Sequence, residues 1–214
     1  VLGAGGSALA QQNTDGLVYL INMIDNWNGD PKMAISSTRT SFNLSSGSAS
    51  YTIGPAQTIN VARPSKILSA ACTQGSGLTM PVRVLQDSLE FSSIVDASGL
   101  SHMIRYLWYD RGNTTGAIHI SPKPLSSSGS IAITYPTLIT NFSDTTTPVE
   151  IPPAYTELIR FGLAVKLSAT YDMPVPESVA AGYQAALGVI QSLNAELLGP
   201  TMAPIPALGK DIGA

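Results

Sequence analysis

Hydrophobic positions along the chain change their spacing twice. Leu9, Leu17, Leu20, Ile21, Ile24 and Trp27 recur at helical steps after one polar gap, so they mark one face of a helix. Ser7, following Gly5-Gly6, is placed to cap its first free N–H groups, and Asn28-Gly29-Asp30-Pro31 ends it. Gly16 either weakens this helix by about 1 kcal/mol relative to alanine or admits a close contact. From about residue 36 to 143 the spacing falls to that of strands, with Val, Ile, Thr and Tyr runs separated by Gly, Pro and Ser. Phe42 and Leu44, then Ser46-Gly47-Ser48, then Ala49, Tyr51 and Ile53 read as a hairpin ended by Gly54-Pro55. The runs over 67–72 and 78–85 read as a second hairpin around Gln74-Gly75-Ser76-Gly77. Those over 103–108 and 117–120 read as a third, around Asp110-Arg111-Gly112-Asn113. Residues 86–93 suit a helical turn, and Ile131, Ile133 and Tyr135 alternate in a further strand. Regularly spaced short strands of this kind predict a sandwich or barrel.

The last third is helical again. Pro152-Pro153 opens a helix carrying Tyr155, Leu158, Ile159, Val165 and Leu167. Pro174-Val175-Pro176 ends it and starts another, striped by Val179, Tyr183, Leu187, Ile190 and Leu197. The expected fold class is α+β. Residues 1–35 and 148–198 form a small helical bundle from both chain ends, 36–147 an inserted antiparallel β-sandwich or barrel-like domain, and 199–214 an extended tail. Burying about ten large apolar side chains between the terminal helices would contribute roughly 15–30 kcal/mol before entropy is subtracted.

Composition sharpens this picture. Only 12% of the 214 residues are charged, about half the usual ~25%. Such a chain either wears a Ser/Thr coat or hides much of its surface in permanent contacts. The net charge is −3 and the basic residues are scattered singly, which argues against tight DNA binding but suits a channel through which DNA slides. No apolar run is long enough to span a membrane, and no basic and apolar stretch of the signal-peptide kind is visible in the first residues given.

Candidate chemistry is sparse. His102 and His119 are the only histidines; Asp110 is near in sequence, but no nucleophile elbow accompanies them. No His or Cys spacing fits a zinc site, so no catalytic residue, cofactor or metal is expected. Cys72, the single cysteine, reads as a small buried hydrophobe. Gly3-Ala4-Gly5-Gly6-Ser7 reads as a tight turn before a capped helix rather than an anion cradle, for it lacks the lysine of a phosphate loop. Asp25 and Asp30 read as capping or solvating groups around the Trp27 turn. Tyr106, Trp108 and Tyr109 read as rings placed alternately in the core and on the face of a strand; an exposed sugar platform is the sharper alternative. The tail has the best claim to function. Pro200, Met202, Ile205, Pro206 and Leu208 lie in a stretch whose only charges are Lys210 and Asp211; such a stretch is either disordered or docks extended on a partner, and its apolar residues without Ser/Gly linker character favour docking.

Several segments resemble head-to-tail adaptor proteins of tailed bacteriophages, the tail accessory factors of short-tailed phages and related adaptors of long-tailed ones. They are Val1-Leu2-Gly3-Ala4-Gly5-Gly6-Ser7 with Ile21-Asn22-Met23-Ile24-Asp25-Asn26-Trp27-Asn28, and Ala49-Ser50-Tyr51-Thr52-Ile53-Gly54-Pro55 with Arg63-Pro64. Gly116-Ala117-Ile118-His119-Ile120-Ser121-Pro122-Lys123-Pro124 and Pro152-Pro153-Ala154-Tyr155 with Leu163-Ala164-Val165-Lys166-Leu167 complete the pattern, in the family's order up to about Leu198. The resemblance implies a non-enzymatic virion protein of the head–tail neck, a homo-oligomeric ring, usually a dodecamer, under the portal protein. It implies downstream tail or nozzle proteins as further partners, DNA passing through the channel, and the tail 200–214 docking on the portal. Family members usually carry another helix before the Gly-rich turn. A tail-tube or head-completion subunit, a carbohydrate-binding module using Tyr106, Trp108 or Tyr109, and a hydrolase using His102 are the rival readings.

Overall fold

The apolar stripe ending at Trp27 forms a helix, α1 (Ala10–Asn28), in the computed structural model, which describes residues 10–34, 36–94, 99–137, 139, 142, 144, 146–149 and 151–198. The Ser7 cap, the glycine turn and the entire tail from 199 lie outside the described residues. Asn28-Gly29-Asp30-Pro31 ends α1 as expected. Asp30 then accepts from the Lys32 backbone N–H at 2.9 Å to start a 3-10 turn, Pro31–Met33.

The chain then enters the strands β1 (Ser36–Asn43), β2 (Ser50–Gly54), β3 (Ile59–Asn60), β4 (Ser69–Thr73) and β5 (Thr79–Leu85). A short helix α2 (Ser88–Ile94) precedes β6 (Leu100–Ser101), β7 (Tyr106–Asp110), β8 (Gly116–Ser121), β9 (Lys123–Pro124) and β10 (Ser130–Thr137). Two long helices close the chain, α3 (Pro153–Thr170), with proline in its first turn, and α4 (Glu177–Leu198). Eight strands form one sheet in the order β1-β10-β4-β5-β7-β8-β2-β3, curled into a nearly closed barrel, while β6 and β9 form a small ribbon beside it. The α+β architecture with helices from both chain ends is thus present.

Two of the three expected hairpins form. β4 and β5 pair antiparallel across the Gln74–Gly77 turn, closed by Gln74 N–H donating to Leu78 O at 2.9 Å and allowed by Gly77 at φ +88°. β7 and β8 pair across the Asp110–Asn113 turn. The expected Phe42–Ile53 hairpin does not form: β1 pairs with β10 and β2 with β8. Alternation marks a strand but not its partner, and β10 matches all eight residues of β1. The intervening loop is bound elsewhere, with Leu44 N–H donating to Gly129 O at 2.9 Å and Gly47 N–H to Pro124 O at 2.8 Å. The sheet is also mixed rather than purely antiparallel, because α2 and β6 carry the chain over so that β5 and β7 run parallel.

Two cores result. Inside the barrel lie Ile53, Cys72, Leu107, Ile118, Ile120, Ile131 and Ile133, and the Cys72 thiol is fully buried as expected. Among the helices lie Met23, Ile24, Trp27, Tyr155, Leu158 and Ile190, with Ile139 and Phe142 from the segment after β10.

Candidate assembly surfaces

Polar side chains tie the helices to the strands where the chain enters and leaves the barrel. Asn28, at the end of α1, exchanges two hydrogen bonds with the backbone of Ile139: its Nδ2 donates to Ile139 O at 3.0 Å, and Ile139 N–H donates to Oδ1 at 2.8 Å. Tyr155 Oη lies 3.1 Å from Met33 O and 2.9 Å from Ala34 O, sharing its proton between them. It accepts from Asn194 Nδ2 at 2.9 Å, and the same nitrogen donates to Lys32 O at 2.6 Å. Burial pushes the Tyr155 phenol up from its ordinary pKa, while the hydrogen bond from Asn194 pulls it the other way. Sequence reasoning took Tyr155 as an apolar stripe residue and Asn28 as part of a helix stop, without their ties to the backbone, and missed Asn194. The available signal was Asn194 itself, a polar residue one turn beyond Ile190 on a buried stripe.

The same helices leave apolar surface uncovered. α4 has no charged residue between Glu177 and Glu196, and its Val189 and Leu193 are each 54% exposed. Between α1 and α3 runs a groove of about 810 Å³ lined by Gly16, Leu17, Leu20, Leu163, Leu167 and Met173. A Cβ added at Gly16 would meet nothing within 4 Å beyond its own helix, so of the two roles open to this glycine the close contact is not made among the described residues. The groove is bridged by Tyr171, whose hydroxyl donates to Asp15 Oδ2 at 3.0 Å. At the rim, Asp144 accepts from Thr146 and Thr147, and these bonds hold its carboxyl far below the usual carboxylate range.

The residues considered for chemistry lie apart. His102 is exposed beside Ser126 and Ser128, at the barrel end remote from the helices. His119 is part-buried on β8, stacked on Trp108 at 4.9 Å between ring centroids, with Phe91 of α2 5.9 Å from Trp108. Along β7 the aromatic residues alternate as expected. Tyr109 points into the core, where its hydroxyl donates to Pro64 O at 2.7 Å, and Tyr106 and Trp108 lie half-buried on the other face. Among the described residues no group of three or more His, Cys, Asp and Glu is arranged to hold a metal ion. No described helix is long and apolar enough to cross a membrane. The docking residues Pro200, Met202, Ile205, Pro206 and Leu208 lie outside the described residues.

Burial pushes the His119 imidazole below its ordinary pKa, and Asp110 only partly opposes this. The folded chain therefore binds that proton less readily than the unfolded chain. Stability is expected to fall as pH drops below about 6.5, where an unperturbed imidazole charges. The thermal midpoint followed between about pH 7 and 5.5 should decline, and His119→Gln should flatten the decline; an unchanged slope would remove His119 as its source.

No curated protein matches the chain. A family model described as SU10 adaptor protein matches residues 7–203, which takes in both terminal helical segments and the whole barrel. The chain belongs to the SU10 adaptor protein family and is a phage adaptor protein, a structural component of the virion.

Proposed function

We propose that this adaptor is a non-enzymatic head-to-tail connector: copies assemble into a ring, a dodecamer, beneath the portal protein, extend the DNA channel and carry the downstream tail or nozzle proteins. The observation that carries this reading is the pairing of a phage-adaptor family match with apolar helical surface that the described chain leaves open, the α1–α3 groove and the Val189–Leu193 side of α4. A subunit in a closed ring buries two different faces, one against each neighbour, and two such faces are available here. The net charge of −3 suits a channel wall along which DNA slides without sticking.

The tail is proposed to reach the portal, with Met202, Ile205 and Leu208 as apolar contacts and Pro200 and Pro206 holding the segment extended. Deleting residues 200–214 should leave circular dichroism and the thermal midpoint unchanged and abolish co-sedimentation with portal rings. Portal binding at full-length affinity by the truncated protein would rule out the docking role. The ring itself is tested by imaging the complex with portal: an annulus with a central hole is expected.

A further inference from the structure

The barrel has an open seam, and its two rims are unlike. One rim is β3, two residues long, which ends at once in a turn where Val61 N–H donates to Ile59 O at 3.0 Å. The other is β1, eight residues long and laddered only to β10. Bonded and non-bonded pairs alternate along an antiparallel ladder. Leu44 N–H donates to Gly129 O at 2.9 Å in continuation of the β1–β10 register, so the even-numbered residues of β1 bond to β10. Ser37, Arg39, Ser41 and Asn43 therefore turn their N–H and C=O groups away from β10. None of them has a backbone partner among the described residues, and all are exposed.

Folded proteins blunt long edges with proline, lysine, bulges or covering elements. The β1 sequence Ser-Ser-Thr-Arg-Thr-Ser-Phe-Asn has neither proline nor lysine, and its register with β10 runs without a bulge. An edge of this length left in pairing geometry is a template for strand addition.

We propose that the free edge of β1 pairs with an extended strand of a neighbouring virion protein, added across the open seam of the barrel. That the strand comes from the virion rests on the adaptor reading. The segments 1–9 and 199–214 fit poorly. Pro200, Pro204 and Pro206 cannot donate to a ladder, and Gly3, Gly5 and Gly6 weaken a strand. Among the described residues a second copy offers, apart from β1 itself, only two-residue edges, the β3 rim and the β6–β9 ribbon. Pairing β1 with β1 across a two-fold axis, in the full-length register, sets the two Arg39 side chains as diagonal neighbours roughly 7–8 Å apart on a face with no acid. The fitting partner is a strand without proline at its donor positions. Its inward side chains are apolar, to pack beside Phe42 and Tyr51, whose rings already meet across the seam at 5.1 Å. Its outward face carries an acid opposite Arg39, which no described carboxylate pairs.

Amide hydrogen exchange on the chain alone and within purified particles tests this. In the free chain the Ser37, Arg39, Ser41 and Asn43 amides should exchange fast while those of Thr38, Thr40 and Phe42 stay protected. In particles the first group should slow by ~100-fold or more. Ser41→Pro removes one outward donor without touching the β10 ladder, so it should keep the thermal midpoint and lose incorporation into particles. Edge amides equally fast in particles, or normal incorporation of Ser41→Pro, would overturn the inference and leave the adaptor role standing. Protection that appears in the isolated chain as its concentration rises would overturn it in favour of a two-fold pair. Wild-type chain missing from particles would sink the adaptor reading and this inference together.

Discussion

Replacing Leu158 by alanine is expected to remove about 2–5 kcal/mol of stability, a large share of the roughly 5–15 kcal/mol typical of a folded chain. Leu158 is fully buried at the centre of the helical core, in the cluster that holds Ile24, Trp27 and Ile190. Alanine there loses the transfer energy of the missing atoms and leaves a cavity that three helices cannot easily close. The two tryptophans allow each core to be followed separately, because Trp27 lies among the helices and Trp108 on the barrel. In single-tryptophan backgrounds, Leu158→Ala should shift the urea midpoints of both signals by the same amount. The reason is the set of bonds at the junction: Asn28 with Ile139, Tyr155 with Met33 and Ala34, and Asn194 with Lys32. Unfolding one side strips partners from buried backbone groups of the other, which makes the transition cooperative. A shift confined to Trp27 would show that the helices and the barrel unfold independently.

Gly116→Ala is expected to destabilise the barrel by roughly 1–3 kcal/mol, through crowding rather than loss. The new Cβ would stand 2.5 Å from Cε2 and 2.7 Å from the hydroxyl oxygen of Tyr109. The ring cannot swing clear, because it is buried and its hydroxyl is tied to Pro64 O at 2.7 Å. Each kcal/mol should lower the thermal midpoint by roughly 2–4 °C for a chain of this size. The Tyr109→Leu background supplies the control: there Gly116→Ala should cost little, and the difference between the two backgrounds measures the clash directly. An equal cost in both would place the strain in the backbone of β8 instead.

Local signals were legible wherever the chemistry was local. The end of α1 at Asn28-Gly29-Asp30-Pro31, the start of α3 at Pro152-Pro153 and the β4–β5 turn at Gln74–Gly77 follow from backbone freedom and missing donors within a few residues. The β1–β10 pairing was not legible, because it joins residues such as Thr38 and Thr137 that are 99 positions apart, and alternation carries no address. The α1–α3 groove was hidden for a related reason. Leu17, Leu20, Leu163 and Leu167 look like ordinary stripe residues until the helix positions show that their faces meet only in part. The ties made by Asn28, legible only as part of a helix stop, and by Asn194 were hidden because an asparagine's partners are evident only once the backbone groups it must satisfy are known.

By itself the sequence determined the long helices and most of the longer strands, though not the two-residue strands β3, β6 and β9, and it showed that both chain ends contribute helices and that charge is scarce. Those are properties of spacing and composition, set within one or two turns of chain. Tertiary structure alone decided which strands pair, that β1 is left as a long free edge while β3 is a short one, and which polar side chains lock the helices to the barrel. These depend on hydrogen-bonding groups and apolar faces brought together from distant positions, whose satisfaction is a property of the whole fold.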